Sequence, residues 1–322
     1  MNDQLLVRAE ERGFLTRPEI LDAGYDDRDI REAIRLRLLT RIGAGLYALT
    51  AAYGSLTELD QLAVRSRAVS RRHAGAVALT HQSAAALHGL PMWDAPLTEV
   101  HVTRLDTGRG RHEAGVQHHT GSIGESDVVE IDGVLVSSPD RCVWELACGL
   151  SVESALVTVD AALHRGLVTP ESLLETAGPF RTWRGSRSGR LALSLADGRS
   201  ESPGESRSRY LFWRYGLPAP ELQFELFDSA GRFVARTDFV WELYRHLAEF
   251  DGRIKFDGTF RPEGFESVFA EKRREDDARA ENWGMSRLIW THLDASRARA
   301  TALRVQAGLE RSRALYGRTV IV

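Results

Sequence analysis

The chain has 322 residues, 43% of them apolar, and a formal net charge of −3. That length usually makes two or three domains. The charge excludes the global basic field that many DNA-binding proteins carry, so any nucleic-acid contact must be local. Cys142 and Cys148 are the two cysteines, six apart on one expected helix and so not on one face, which excludes a disulfide scaffold or zinc knuckle. No apolar run reaches membrane length, and the N-terminal segment has no long apolar stretch. A cytoplasmic protein without a membrane contact is expected.

Residues 1–52 read as two short helices, a glycine turn and a hairpin. Thr16 is a candidate N-cap, with Pro18 in the first turn and Glu19 at the capping-box position. That helix stops at Gly24. Asp26 or Asp27 caps the next, in which Ile30, Ala33, Ile34 and Leu38 recur at helical spacing. Gly43-Ala44-Gly45 then separates Leu39–Ile42 from Leu46–Leu49. The outline is a winged helix-turn-helix. Its second helix carries Arg28, Arg31, Arg35 and Arg37, candidate phosphate contacts for double-stranded DNA. Asp26, Asp27, Asp29 and Glu32 dilute that charge, and a helical adaptor with solvated arginines is the competing reading.

Residues 56–177 read as an α+β domain. A helix over 57–74 leads to a short strand, a small-residue helix over 81–90, and further strands at 97–103, 116–120, 128–131 and 134–137. The last two flank an Asp132-Gly133 turn. Helices follow at 139–148 and 152–165, and Thr169-Pro170 starts another. His81, His88, His101, His118 and His119 invite a metal reading, but no short H-x-x-x-H spacing is present, so they are read as core and surface histidines. Residues 178–200 are rich in Arg, Ser and Gly and read as a basic linker with one short helix over 187–196.

Residues 201–322 read in the order α-β-β-β-α-β, followed by a closing helix. The run from Arg236 to Lys255 carries the chemistry. Asp238 ends a short β-type run, and Glu249 and Asp251 fall at or near the end of the next. Carboxylates at two strand ends can hold a hard divalent cation, Mg²⁺ or Mn²⁺, and a lysine nearby can stabilise a developing phosphate charge. The candidate catalytic set read from the spacing is Asp238, Glu249, Asp251 and Lys255, with Asp238, Glu249 and Asp251 as metal ligands. Arg207 joins the candidate nucleic-acid contacts. A hairpin with charged, solvated ends is the competing reading.

Those residues carry two resemblances. The stretches A-R-T-D-F-V-W, A-E-F-D-G-R-I-K-F and E-K-R-R-E-D-D-A-R-A-E-N-W-G-M-S-R-L-I-W resemble the PD-(D/E)xK nuclease superfamily, nearest to very-short-patch repair endonucleases and to domain of unknown function 559 (DUF559). The resemblance implies a C-terminal restriction-endonuclease-like α/β fold. It gives Asp238, Glu249 and Asp251 as the acids, with Glu205 where the first helix often adds another. The superfamily usually places lysine two residues after the third-strand acid; here Asp251 stands there, so the lysine role passes to Lys255 or Lys272. The stretches G-F-L-T-R-P-E-I-L-D-A-G-Y, L-T-H-Q-S-A-A-A-L-H-G-L-P and V-S-S-P-D-R-C-V-W-E-L-A resemble the AbiEi-like antitoxins of type IV toxin–antitoxin systems. That implies DNA binding and, as an alternative to nuclease activity, a transcriptional regulator with a cognate toxin as partner.

Overall fold

The computed structural model describes residues 2–73, 75–105, 112–113, 115–121, 123–228, 230–252 and 281–317. The fold is α+β and divides into two compact units, 1–158 with 166–193, and 159–165 with 194–322.

In the first unit, α1 (Asp3–Arg12) leads to β1 (Leu15–Thr16), α2 (Arg17–Asp22) and α3 (Asp27–Arg35). Thr16 and Glu19 make a reciprocal capping box, as do Asp26 and Asp29, so each helix start satisfies its own orphan amides. β2 (Leu39–Gly43) and β3 (Leu46–Leu49) form a hairpin, and with β1 a sheet in the order β1-β3-β2. Leu5, Leu15, Ile20, Ile30, Leu39 and Tyr47 share its core. The helical period expected to reach Leu38 stops at Arg35. Arg37 takes a left-handed φ of 57°, and Leu36 and Leu38 stay exposed.

Next come α4 (Thr50–Gly54), α5 (Glu58–Arg72), β4 (Val77–Leu79), α6 (His81–Leu87), β5 (Val100–Arg104), β6 (His112–Glu113), β7 (Val116–His119), β8 (Val128–Ile131) and β9 (Val134–Ser137). They build a six-stranded mixed sheet, β6-β7-β5-β4-β9-β8, in which β5–β7 and β4–β9 are parallel. Asp132 and Gly133 both have positive φ, 50° and 75°, as a two-residue hairpin turn of the I′ kind requires. Then follow α7 (Pro139–Gly149), α8 (Val152–His164), α9 (Pro170–Ala177) and α10 (Ser186–Leu195).

The expected linker over 178–200 is corrected here. Ala192 is fully buried with Trp144, Ala147 and Ala177, and Phe180, Trp183 and Leu193 pack on that cluster. The arginines 181, 184, 187 and 190 lie exposed between these inward residues. The basic composition records one face of a packed segment, not a solvated tether.

The second unit begins with the end of α8 and contains α11 (Pro203–Arg214), β10 (Glu221–Phe227), β11 (Phe233–Trp241), β12 (His246–Asp251), β13 (Gly284–Ile289) and α12 (Ala298–Tyr316). The strands lie in the order β10-β11-β12-β13. The first two junctions are antiparallel and β12–β13 is parallel. Phe212 on α11 meets Phe239 and Trp241 edge-on, with ring centroids 5.3 and 5.1 Å apart. Leu288, Ala302, Val305 and Leu309 complete that core, while Leu226, Val240, Leu247 and Trp283 form a second cluster. The helix expected over 265–282 falls almost wholly outside the described residues.

Among the described residues no helix is long and apolar enough to cross a membrane.

Candidate functional site

The antiparallel ladder between β11 and β12 pairs Trp241 with His246, Val240 with Leu247 and Phe239 with Ala248, and there it stops. One step further, Asp238 lies beside Glu249. The next amide of β12 facing β11, that of Phe250, donates to Asp238 Oδ2 at 2.7 Å rather than to a main-chain carbonyl. A carboxylate thus occupies the point where the strands part. On α11, Glu205 is buried. Its Oε2 accepts the Glu201 amide at 3.0 Å and Gln223 Nε2 at 2.8 Å, and Ser202 caps the helix by accepting the Glu205 amide at 3.2 Å. Gln223 sits at a positive φ of 56°, inside β10.

Electrostatics follow from this crowding. Burial pushes the Asp238 carboxyl up to about 7; the Phe250 amide acts against this, and the charges of Glu205, Glu249 and Glu201 add to it. Burial also raises Glu205. Glu249 faces Arg287 of β13 at 4.0 Å, its partner in the parallel register. Carboxylate oxygens are the donors a hard cation prefers, and Mg²⁺ is commonly held by one or two of them plus waters and phosphate oxygens. Carboxylates are thus the donor type through which Mg²⁺ or Mn²⁺ could be held. Glu205 and Glu249 both lie near enough to Asp238 for their charges to act on it, and Asp251 follows Glu249 by two residues on β12. Lys255 and Lys272 lie outside the described residues.

The structure corrects Arg207 as a nucleic-acid contact. It is 4% exposed, its guanidinium lies 5.9 Å from the Trp290 ring centroid, and Nη2 donates to the Leu293 carbonyl at 2.9 Å. Arg28, Arg31, Arg35 and Arg37 are all exposed. Arg35 chelates Glu32 through two hydrogen bonds, 2.9 and 2.5 Å, and Arg37 lies past the end of α3.

Sequence spacing missed a second constellation. His81, His101 and His119 bring one nitrogen each within 4.8 Å of one another, as do the donor atoms of His73, Glu113 and His118. Asp238, Glu249 and Glu205 are not such a set. His101 Nδ1 and His119 Nε2 are 2.9 Å apart, and the His81 ring stacks on His119 with centroids 3.7 Å apart and 11° between planes. His81 opens α6 at a φ of 51°, a left-handed conformation that costs an L residue about 1–2 kcal/mol. Glu145 holds it there, accepting the His81 amide at 3.0 Å. Glu145 is itself bound by Arg141 Nε at 2.9 Å, and the Arg141 guanidinium lies 4.3 Å from the centroid of Phe180 and 4.7 Å from that of Trp183. Burial lowers all three histidines, His81 well below the usual value and His101 and His119 to about 4. The sequence signal was hidden because no local repeat links these residues: the parallel β5–β7 register pairs His101 with Gln117 and Thr103 with His119, which sets the two histidines diagonally across neighbouring strands.

No family model matches the chain. It is 34% identical over 170 residues to two uncharacterized proteins of Mycobacterium tuberculosis, MT2308 of strain CDC 1551 and Rv2248 of strain H37Rv. The match covers 52% of this chain and 60% of each relative, so the chain spans about three-fifths of their length. The crystal structure of the Mycobacterium tuberculosis protein RV2827C aligns with 67% of this chain and 83% of its own, at a TM-score of 0.37 and 13% identity.

Proposed function

We propose that this chain binds DNA and that its C-terminal unit hydrolyses phosphodiester bonds with a hard divalent cation. The observation that carries the reading is the Asp238 carboxyl at the strand fork, hydrogen-bonded to the Phe250 amide and surrounded by Glu205, Glu249 and Glu201. Acids near enough to act on one another's charge oppose one another's ionisation, and a cation relieves that repulsion. Asp238 and Glu249 would hold Mg²⁺ or Mn²⁺, with Glu205 beside them. When bound, such an ion supplies Lewis-acid stabilisation to a phosphoryl oxygen and lowers the pKa of a bound water. The Phe250 amide fixes the Asp238 carboxylate so that its orientation is set before substrate arrives. Duplex DNA is the substrate class, and the exposed arginines of α3 supply sequence-independent phosphate contacts.

The test is cleavage by the purified full-length protein. Supercoiled, linear and single-stranded DNA are incubated with Mg²⁺ or Mn²⁺, alongside Asp238→Ala and Glu249→Gln. Cutting by the wild type and loss of cutting in both variants support the reading. Identical traces for all three proteins with both metals overturn it. Retained duplex binding without cutting would favour a regulator or antitoxin-like protein, with a partner such as a cognate toxin, whose Asp251 stands where a catalytic lysine is expected.

A further inference from the structure

We propose that His81, His101 and His119 form a site for one divalent transition-metal ion of the zinc class, with a coordination position left for water. Nothing in the acidic fork is involved; the donors here are three imidazoles on α6, β5 and β7 of the first unit. Imidazole selects zinc, copper or nickel over magnesium, so the two sites take different ions.

Two of the three donors stand close to ligating separation, and the third is within reach of them. Zinc–nitrogen bonds of about 2.0–2.1 Å at a tetrahedral angle hold ligand nitrogens about 3.3 Å apart. In this chain all three lie within 4.8 Å of one another. His101 Nδ1 and His119 Nε2, at 2.9 Å, share one proton between two lone pairs. A metal ion takes that proton's place, and the pair opens by a few tenths of an ångström. The His81 and His119 rings are stacked in nearly parallel planes, so their in-plane lone pairs do not meet at one point. Ligation requires the His81 ring to turn out of the stack. Its Nδ1 is buried without a hydrogen bond, so the turn breaks none there.

The surroundings fit a cation. Glu145 Oε2 lies 3.5 Å from His81 Nδ1, and a carboxylate behind a ligating histidine fixes the ring and offsets the ion's charge. Arg141 and the His81 amide lock that carboxylate in turn. Each of the three histidines keeps partial solvent exposure, which gives an ion an entry path and leaves a water access to the fourth position.

The experiment uses full-length protein carrying Asp238→Asn, so that the acidic fork does not contribute, stripped with a chelator and dialysed. Zinc is titrated by calorimetry, and cobalt is followed by visible absorption. The expected result is one zinc per chain with micromolar or tighter affinity, and cobalt bands that zinc abolishes. His101→Ala and His119→Ala should each weaken zinc by more than the roughly 10–100-fold that loss of a mere supporting partner costs, while His164→Ala leaves it unchanged. Far-UV circular dichroism confirms that each variant is folded, and His101→Asn replaces any that is not. Zinc should also raise the melting temperature of the parent protein and not that of the histidine variants. No zinc binding at about 100-fold molar excess overturns the proposal. So does zinc binding unaffected by the His101 and His119 variants, an outcome that would move the ion to His73, Glu113 and His118.

Discussion

The carboxylate of Asp238 accepts the main-chain amide of Phe250 at 2.7 Å, immediately beyond the last paired residues of β11 and β12. A side chain thereby substitutes for a carbonyl at the place where the two strands separate. It is a half-buried acid with other acids near it, and its protonation couples to folding.

The coupling has a definite sign. The folded value of about 7 lies above the ordinary carboxylate value, so ionising Asp238 opposes folding. Below about pH 4 both states hold the proton and the effect is absent. Between about pH 4 and pH 7 the unfolded chain ionises first and stability falls. Above that the loss is complete, on the order of 4 kcal/mol as an upper bound. Asp238→Asn should therefore be more stable than the wild type at about pH 8 and equal to it near pH 4, in urea melts without metal. Mg²⁺ or Mn²⁺ should raise wild-type stability at pH 8 and leave the variant unmoved. Parallel pH profiles for the two proteins would contradict this.

Gly204 is required by the Phe250 ring. A Cβ on Gly204 would lie 1.9 Å from Phe250 Cε1, and Phe250 also packs edge-on against Trp290, with centroids 4.9 Å apart. Gly204→Ala should displace the ring and with it the amide that Asp238 accepts. We expect a loss of about 1–3 kcal/mol, typical of overpacking, and weaker metal-dependent cleavage. Adding Phe250→Leu makes room and should recover part of both. A single Gly204→Ala variant with wild-type stability would show that the strand end moves freely.

Arg207 is a structural cation. Replacing it with Met leaves the Leu293 carbonyl without its donor and removes the stack near Trp290. The expected cost is about 1–3 kcal/mol by chemical denaturation, with the salt dependence of DNA binding unchanged. A shallower salt slope in this variant would return Arg207 to the interface.

On α3 the expectation is reversed for stability and affinity. Arg31→Ala with Arg35→Ala should weaken binding to all duplex sequences and flatten the plot of log K against log salt by about one to two units. Glu32→Gln should do the opposite, because it releases the Arg35 fork that Glu32 now chelates. Exposed pairs of this kind contribute about 0–1 kcal/mol, so melting temperatures should barely move. Fluorescence anisotropy across a salt series would reveal an unchanged slope.

Local chemistry determined much of this protein directly. The Thr16–Glu19 and Asp26–Asp29 boxes, the Asp132-Gly133 turn and the Thr169-Pro170 helix start all work within a few residues, where capping and backbone sterics act without help from distant parts. That Asp238 and Glu249 fall on neighbouring strands was legible for a related reason: two short strand-like runs joined by a tight turn pair with each other. The tertiary structure alone decided the rest. Composition made residues 178–200 look like a tether, yet Phe180, Trp183 and Ala192 found a core supplied by α7, and that core is invisible in a local window. Arg207 looked like a surface cation until α11 turned it toward Leu293, whose sequence position is 86 residues away. His81, His101 and His119 are far apart along the chain and carry no ligand spacing. Their meeting depends on β5 and β7 lying parallel in register with α6 packed alongside, a long-range pairing that no local period encodes.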